Sequence, residues 1–124
     1  MKREVKTSNA PKAIGPYSQA IETEEFVFLA GQIGIVPSSG KLVEGIENQT
    51  RQAMENIKAI LSELNLDFTN VVKTTIFLAD LGDFSKVNEI YSSYLTPPYP
   101  ARSTVAVKEL PKGALVEIEV IAKK

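Results

Sequence analysis

Apolar and polar positions along this chain follow two periods, and each change of period marks an element. Residues 3–7 (REVKT) and 18–22 (SQAIE) predict two short strands, divided by the turn-rich stretch NAPKAIGPY. FVFLAGQIGIV, 26–36, is a β-branched and aromatic run that predicts a strand, ended by the turn Pro37-Ser38-Ser39-Gly40. The period then becomes helical. Ile46, Thr50, Ala53, Met54, Ile57, Ile60, Leu61 and Leu64 share a stripe with Gln, Arg, Glu and Lys between them, which predicts a helix over 46–64 that stops at Asn65. VVKTTIFLA, 71–79, predicts a strand that is apolar on both faces, with Val72, Ile76 and Leu78 on one and Val71, Phe77 and Ala79 on the other. Phe84, Val87, Tyr91, Tyr94 and Leu95 predict a second helix over 83–95, capped by Asp83 and ended by Pro97 and Pro98. STVAV, 103–107, and ALVEIEVIA, 114–122, predict two last strands, with LPKG at 110–113 as a hairpin-like turn.

The order β-β-β-α-β-α-β-β predicts an α+β fold, one domain over 1–124, in which two helices cover one face of a mixed sheet. Two helices cannot cover both faces. The second apolar face is therefore expected to be buried against other copies of the chain.

Composition narrows the chemistry. There is no cysteine and no histidine, so disulfides, a Cys/His metal site, a Cys nucleophile and a Ser–His pair are all excluded. Acid–base work falls to Asp, Glu, Lys, Tyr or water. No acidic cluster has the spacing of a metal-binding loop. The formal net charge of −1 gives no general electrostatic reason to bind nucleic acid or an anionic membrane. No apolar run is long enough to cross a bilayer, and the first residues lack the apolar core of a secretory signal, so a cytoplasmic protein is expected.

Arg102 is one of only three arginines, beside eleven lysines, and it follows the rigid stretch PPYPA. Its planar fork matches a carboxylate in two parallel hydrogen bonds, and the prolines deliver it with little freedom. A surface or intersubunit ion pair would explain it too. Glu117 lies between Val116 and Ile118 on the last strand. Partial burial there would raise its pKa toward proton-transfer duty; plain alternation would leave it facing solvent beside Glu119. Tyr17 follows a Gly-Pro turn and offers a hydroxyl or an aromatic wall, or merely packs the loop. Asn88 borders the second helix's apolar stripe and could bind a ligand's polar group or a neighbouring carbonyl. Gly31 and Gly34 mark a bulge or a close approach of backbone or ligand.

The stretches NAPKAIGPYSQAI, LAGQIGIVPSSGKLV, QTRQAMENIKAIL, VVKTTIFLADLGDFSKVNEIY, PARSTVAV and LPKGALVEIEVIA, in this order, resemble the RidA/YjgF family of small enamine/imine deaminases along almost the whole chain. The resemblance implies a chorismate-mutase-like α+β fold and a homotrimer, with three clefts between subunits. It implies that Arg102 grips a substrate carboxylate, that Glu117 positions or activates water, and that Tyr17 and Asn88 line the cleft. Thr104 stands where the family often has Cys, and its backbone can still meet the carboxylate. Ala30, before Gly31, stands where many deaminating members carry Ser. The implied ligands are short 2-enamino or 2-imino acids such as 2-aminoacrylate, converted to 2-keto acids and ammonia without metal, PLP or flavin. Two alternatives stay open: a non-catalytic keto-acid-binding regulator, and the ribonuclease or translation-inhibitor activity ascribed to some relatives.

Overall fold

A computed structural model describes residues 1–124. Six strands form one mixed sheet: β1 (Arg3–Val5), β2 (Ala20–Glu22), β3 (Phe26–Leu29), β4 (Val71–Leu78), β5 (Ala101–Ala106) and β6 (Val116–Lys123). Their spatial order is β1-β2-β3-β6-β4-β5. All pairs are antiparallel except β4 with β5. Helices α1 (Ile46–Glu63) and α2 (Phe84–Ser93) pack together over one face.

The predicted stripe of α1 is its buried side: Met54, Ile57, Ile60 and Leu61 are fully enclosed. Each such side chain contributes about 1.5–3 kcal/mol on burial, several times the spread of intrinsic helix propensities among ordinary residues, so packing fixes this helix. Opposite them stand Val116, Ile118 and Val120 of β6 and Ile76 and Leu78 of β4. Asn65 takes up a left-handed φ of 58° just past the helix and ends it. α2 buries Val87, Ile90 and Tyr91.

Four expectations need correction. The apolar run predicts a strand to Val36, but the chain leaves the sheet after Leu29 and returns only as a single bridge between Gln32 and Ile118. Gly34 explains the departure: a Cβ there would lie 2.6 Å from the Gln49 backbone, so the segment leans on α1 instead of the sheet. On β4, Val71 is buried with Thr74, Ile76 and Leu78, while Val72 is exposed. A register shift between Val71 and Lys73 reverses the alternation, as a β-bulge does. Asp83 precedes α2 but forms no side-chain cap; Asp80 does the capping, accepting from the Gly82 N–H at 2.8 Å ahead of a short 3₁₀ turn. Finally, residues 107–115 are no hairpin. β5 lies parallel to β4 at the sheet edge, and β6 is inserted between β3 and β4. The connection passes round the end of β4, where Val107 donates to the Leu78 carbonyl and Ala79 to that of Leu115.

The face away from the helices stays uncovered within the chain. Phe28 and Val105 are each 44% exposed there, with Phe77 and Ile121 half-buried between them.

Candidate functional site

The predicted site residues fall into two groups on opposite faces of the sheet. Arg102 is in register with Thr74 of β4, and Glu117 with Phe77. Thr74 and Phe77 are three residues apart, an odd spacing, so Arg102 points to the helix side and Glu117 to the uncovered side.

The first group gathers around Arg102, which is the second residue of β5 rather than part of the loop before it. Its Nη1 donates to Asn88 Oδ1 at 2.6 Å. Its guanidinium carbon lies 5.2 Å from the ring centroid of Phe84 and 5.2 Å from that of Tyr91. The Tyr91 hydroxyl is 2.8 Å from Thr74 Oγ1, and both residues are buried. Burial raises the Tyr91 pKa, against the lowering influence of Thr74 and the Arg102 charge. No carboxylate of the chain lies within 4.0 Å of Arg102, so the intrachain form of the ion-pair explanation fails. Thr104 follows on the same face, in register with Ile76, and its Oγ1 is buried without a hydrogen-bond partner.

The second group lines a cavity of about 830 Å³: Tyr17, Ala30, Gly31 and Glu117, with Ile33, Lys12 and Lys112 among the other walls. Burial, and secondarily the charge of Glu119, raise the Glu117 pKa above the ordinary carboxylate value. The two glutamates of β6 are thus unequal, because Glu119 is exposed and Glu117 half-buried. Gly31 is a close approach, since a Cβ there would sit 2.1 Å from Glu117 Oε2, and it lies where the pairing with β6 shifts by one residue between Phe28 and Gln32. Tyr17 stands 54% exposed at the cavity, behind a tight turn in which its N–H donates to the Gly15 carbonyl.

Three buried polar side chains that hold these walls carry no signal in the sequence. Gln19 Oε1 accepts from the Thr7 N–H, and its Nε2 donates to the Thr7, Ala10 and Pro11 carbonyls. Asn56 Nδ2 donates to the carbonyls of Ile33 and Ile35. Gln49 Oε1 accepts from the Leu115 N–H, just before β6. Asn56 and Gln49 belong to the inward side of α1, where the periodicity of apolar residues passes over them. Two aromatic neighbours of Arg102, Phe84 and Tyr91, are read from the same periodicity only as core.

Chemically, one group offers a cation with hydrogen-bonding N–H groups to spare. The other offers a half-buried carboxylate with a raised pKa inside a partly apolar cavity. A six-stranded mixed sheet under two helices, with a polar cluster on one face and a cavity on the other, defines a class of small α+β domains.

Comparison with known proteins makes the assignment specific. The family described as Endoribonuclease L-PSP matches residues 7–124, and the chain belongs to that family, also called RidA/YjgF. The human protein named 2-iminobutanoate/2-iminopropanoate deaminase is 49% identical over 123 residues, covering 98% of this chain and 90% of the human one. Among solved structures, a Yersinia pestis protein of the conserved Rid family superposes with a TM-score of 0.97 at 52% identity, each chain covered in full. The E. coli protein TdcF, solved with bound serine, superposes with a TM-score of 0.94 at 38% identity over 98% of both chains.

Proposed function

We propose that this protein hydrolyses short 2-enamino and 2-imino acids, such as 2-aminoacrylate, to 2-keto acids and ammonia, as a homotrimer with a cleft at each subunit boundary. The observation that carries this reading is an arginine held by three neighbours with no carboxylate of its own. Such a group suits the carboxylate of a small acid, bound through two parallel N–H···O bonds. The deaminase name of the human relative and the serine bound to TdcF, itself a small amino acid, point the same way.

Arg102 and Glu117 face opposite sides of one sheet, so a complete site needs the Arg102 group of one copy beside the Glu117 cavity of another. The uncovered face with Phe28, Phe77, Val105 and Ile121 supplies an apolar surface for that association. In the cleft, Arg102 orients the substrate, with Asn88 and the Thr104 backbone beside it. Tyr17, Ala30 and Gly31 form the wall near Glu117. The enamine takes a proton at its terminal carbon and becomes an imine. Water adds to the imine carbon while Glu117 accepts its proton. That proton then passes to nitrogen, the new hydroxyl's proton follows by way of Glu117, and the C–N bond breaks, so that ammonia leaves as the carbonyl forms. Orientation together with acid–base help, the latter worth about 10²–10⁴-fold, supplies the acceleration without metal or organic cofactor. We assign the protein to the cytoplasm; no helix is long and apolar enough to cross a membrane.

The deciding assay generates 2-aminoacrylate with a serine dehydratase and follows pyruvate release. Faster release with this protein supports the reading, and Arg102→Ala should remove the effect while the trimer persists. Absence of acceleration, with keto-acid binding retained, would favour a regulatory binder, a reading that Ala30 in place of a hydroxyl-bearing residue encourages. The family's endoribonuclease name keeps a second activity in view, although a net charge of −1 and the lack of histidine weigh against it. RNA cleavage that follows the trimer through purification and vanishes in Arg102→Ala would restore it.

A further inference from the structure

Arg102 stands on an edge strand, where a long exposed side chain would ordinarily sample many rotamers. Here it does not stand alone. Phe84, Asn88 and Tyr91 occupy positions i, i+4 and i+7 of α2, one face of the helix. Positions seven apart lie about 10.5 Å apart along a helix axis. The guanidinium carbon, 5.2 Å from each ring centroid, sits in the gap between the two aromatics, with Asn88 in the intervening turn. Tyr91 is itself fixed, 5% exposed and bonded through its hydroxyl to Thr74, the residue across from Arg102 on β4. The chain of contacts therefore closes: Arg102 is held by α2, and α2 is held by the strand next to Arg102.

We infer that Phe84 and Tyr91 are positioning residues whose rings hold the Arg102 guanidinium, while Asn88 sets its rotation, so that a ligand carboxylate meets an arginine already in place. The inference rests on Arg102 being the carboxylate clamp. An arginine held in this way loses less freedom when it binds, which tightens the ligand without changing the bond-breaking step. Asn88 occupies one N–H direction of Nη1, and Arg has five N–H groups, so the fork keeps donors for a two-bond grip. Lysine could not inherit the arrangement, because its ammonium lacks the planar face that stacks on rings.

The test uses the intact protein, Phe84→Leu and Tyr91→Leu, and the ring-preserving Phe84→Tyr and Tyr91→Phe. Steady-state deamination of 2-aminoacrylate is measured for each. Only three arginines are present, so the Nε–H region of a ¹⁵N-labelled sample is simple, and Arg102→Lys assigns the Arg102 signal. The expected result is a ring-shifted Arg102 signal in the wild type that moves toward those of Arg3 and Arg51 in the leucine variants. KM should rise about three- to fivefold for each lost ring with kcat little changed, as befits an exposed cation–π contact. Phe84→Tyr should keep both the shift and KM, and Tyr91→Phe, which keeps the ring but loses the bond to Thr74, should fall between the wild type and Tyr91→Leu in both. An unshifted Arg102 signal in the wild type, or leucine variants with unchanged KM, would overturn the inference while leaving the clamp intact if Arg102→Ala is inactive. Full activity in Arg102→Ala would overturn the clamp and this inference together.

Discussion

Glu117 and Glu119 are two residues apart on one strand face, and their inequality makes a sharp test. Glu119 helps hold the Glu117 carboxyl above its ordinary pKa. If Glu117 must be ionised to accept a proton from water, activity rises as pH climbs through that elevated value. Glu119→Gln removes the repulsion, lowers the Glu117 pKa, and should move the acid limb of the kcat profile to lower pH. Glu117→Gln should retain keto-acid affinity, slow turnover and erase the limb; a limb that stays put in both variants would place the titrating group elsewhere. Gly31 and Gly34 form a second contrast. A Cβ at Gly31 meets only the end of the Glu117 side chain, which can swing away. Gly31→Ala should therefore fold with a nearly unchanged Tm but deaminate poorly. A Cβ at Gly34 meets the backbone of α1, which cannot yield so cheaply. Gly34→Ala should lower stability by about 1–3 kcal/mol in urea unfolding. The sequence marks both glycines as unusual in an apolar run, yet what each one approaches is a long-range contact that no local pattern contains.

At the scale of elements, the two helices and the cores of all six strands are legible, most plainly where a period matches burial, as in α1, α2 and β6. The register is less so. The bulge at Val72 changes which valine is buried, and alternation alone cannot announce an inserted residue. Buried amides are equally silent. Asn56 sits on the inward side of α1 because its Nδ2 satisfies the Ile33 and Ile35 carbonyls, so polarity there serves the neighbouring loop. Asn56→Leu should leave the Ile35 carbonyl unpaired, while the Ile33 carbonyl keeps the Ile35 N–H, and should cost about 1–3 kcal/mol, measurable in denaturant. The loop carries Ile33 into the cavity wall, so keto-acid affinity should fall in the same variant. The order of the strands was also hidden. LPKG has the composition of a hairpin turn, but its 3₁₀ turn carries the chain past β4 rather than back along β5.

At the scale of the whole molecule, the Arg102 group and the Glu117 cavity lie on opposite faces of one sheet, and local sequence contains nothing of this. Only the resemblance implies that site residues need not meet within one chain, and the proposed function takes Arg102 from one copy and Glu117 from another. Arg102→Ala is expected to be inactive and Glu117→Gln to turn over slowly. Unfolded together and refolded as mixed trimers, they should regain about a quarter of wild-type activity, because random mixing places an intact arginine beside an intact glutamate at about one boundary in four. Zero recovery in trimers proven to be mixed would mean that both residues act within one chain. The insertion of β6 between β3 and β4 bears on how the protein is made as well as on what it does. Synthesis produces both flanking strands long before residues 116–123 emerge from the ribosome. Until then the nascent chain carries two strands with open edges, FVFL and VVKTTIFL, and the sheet has no middle. Completion of the sheet is therefore deferred until β6 has been made, and the interval before β6 arrives is when this chain has most need of a chaperone.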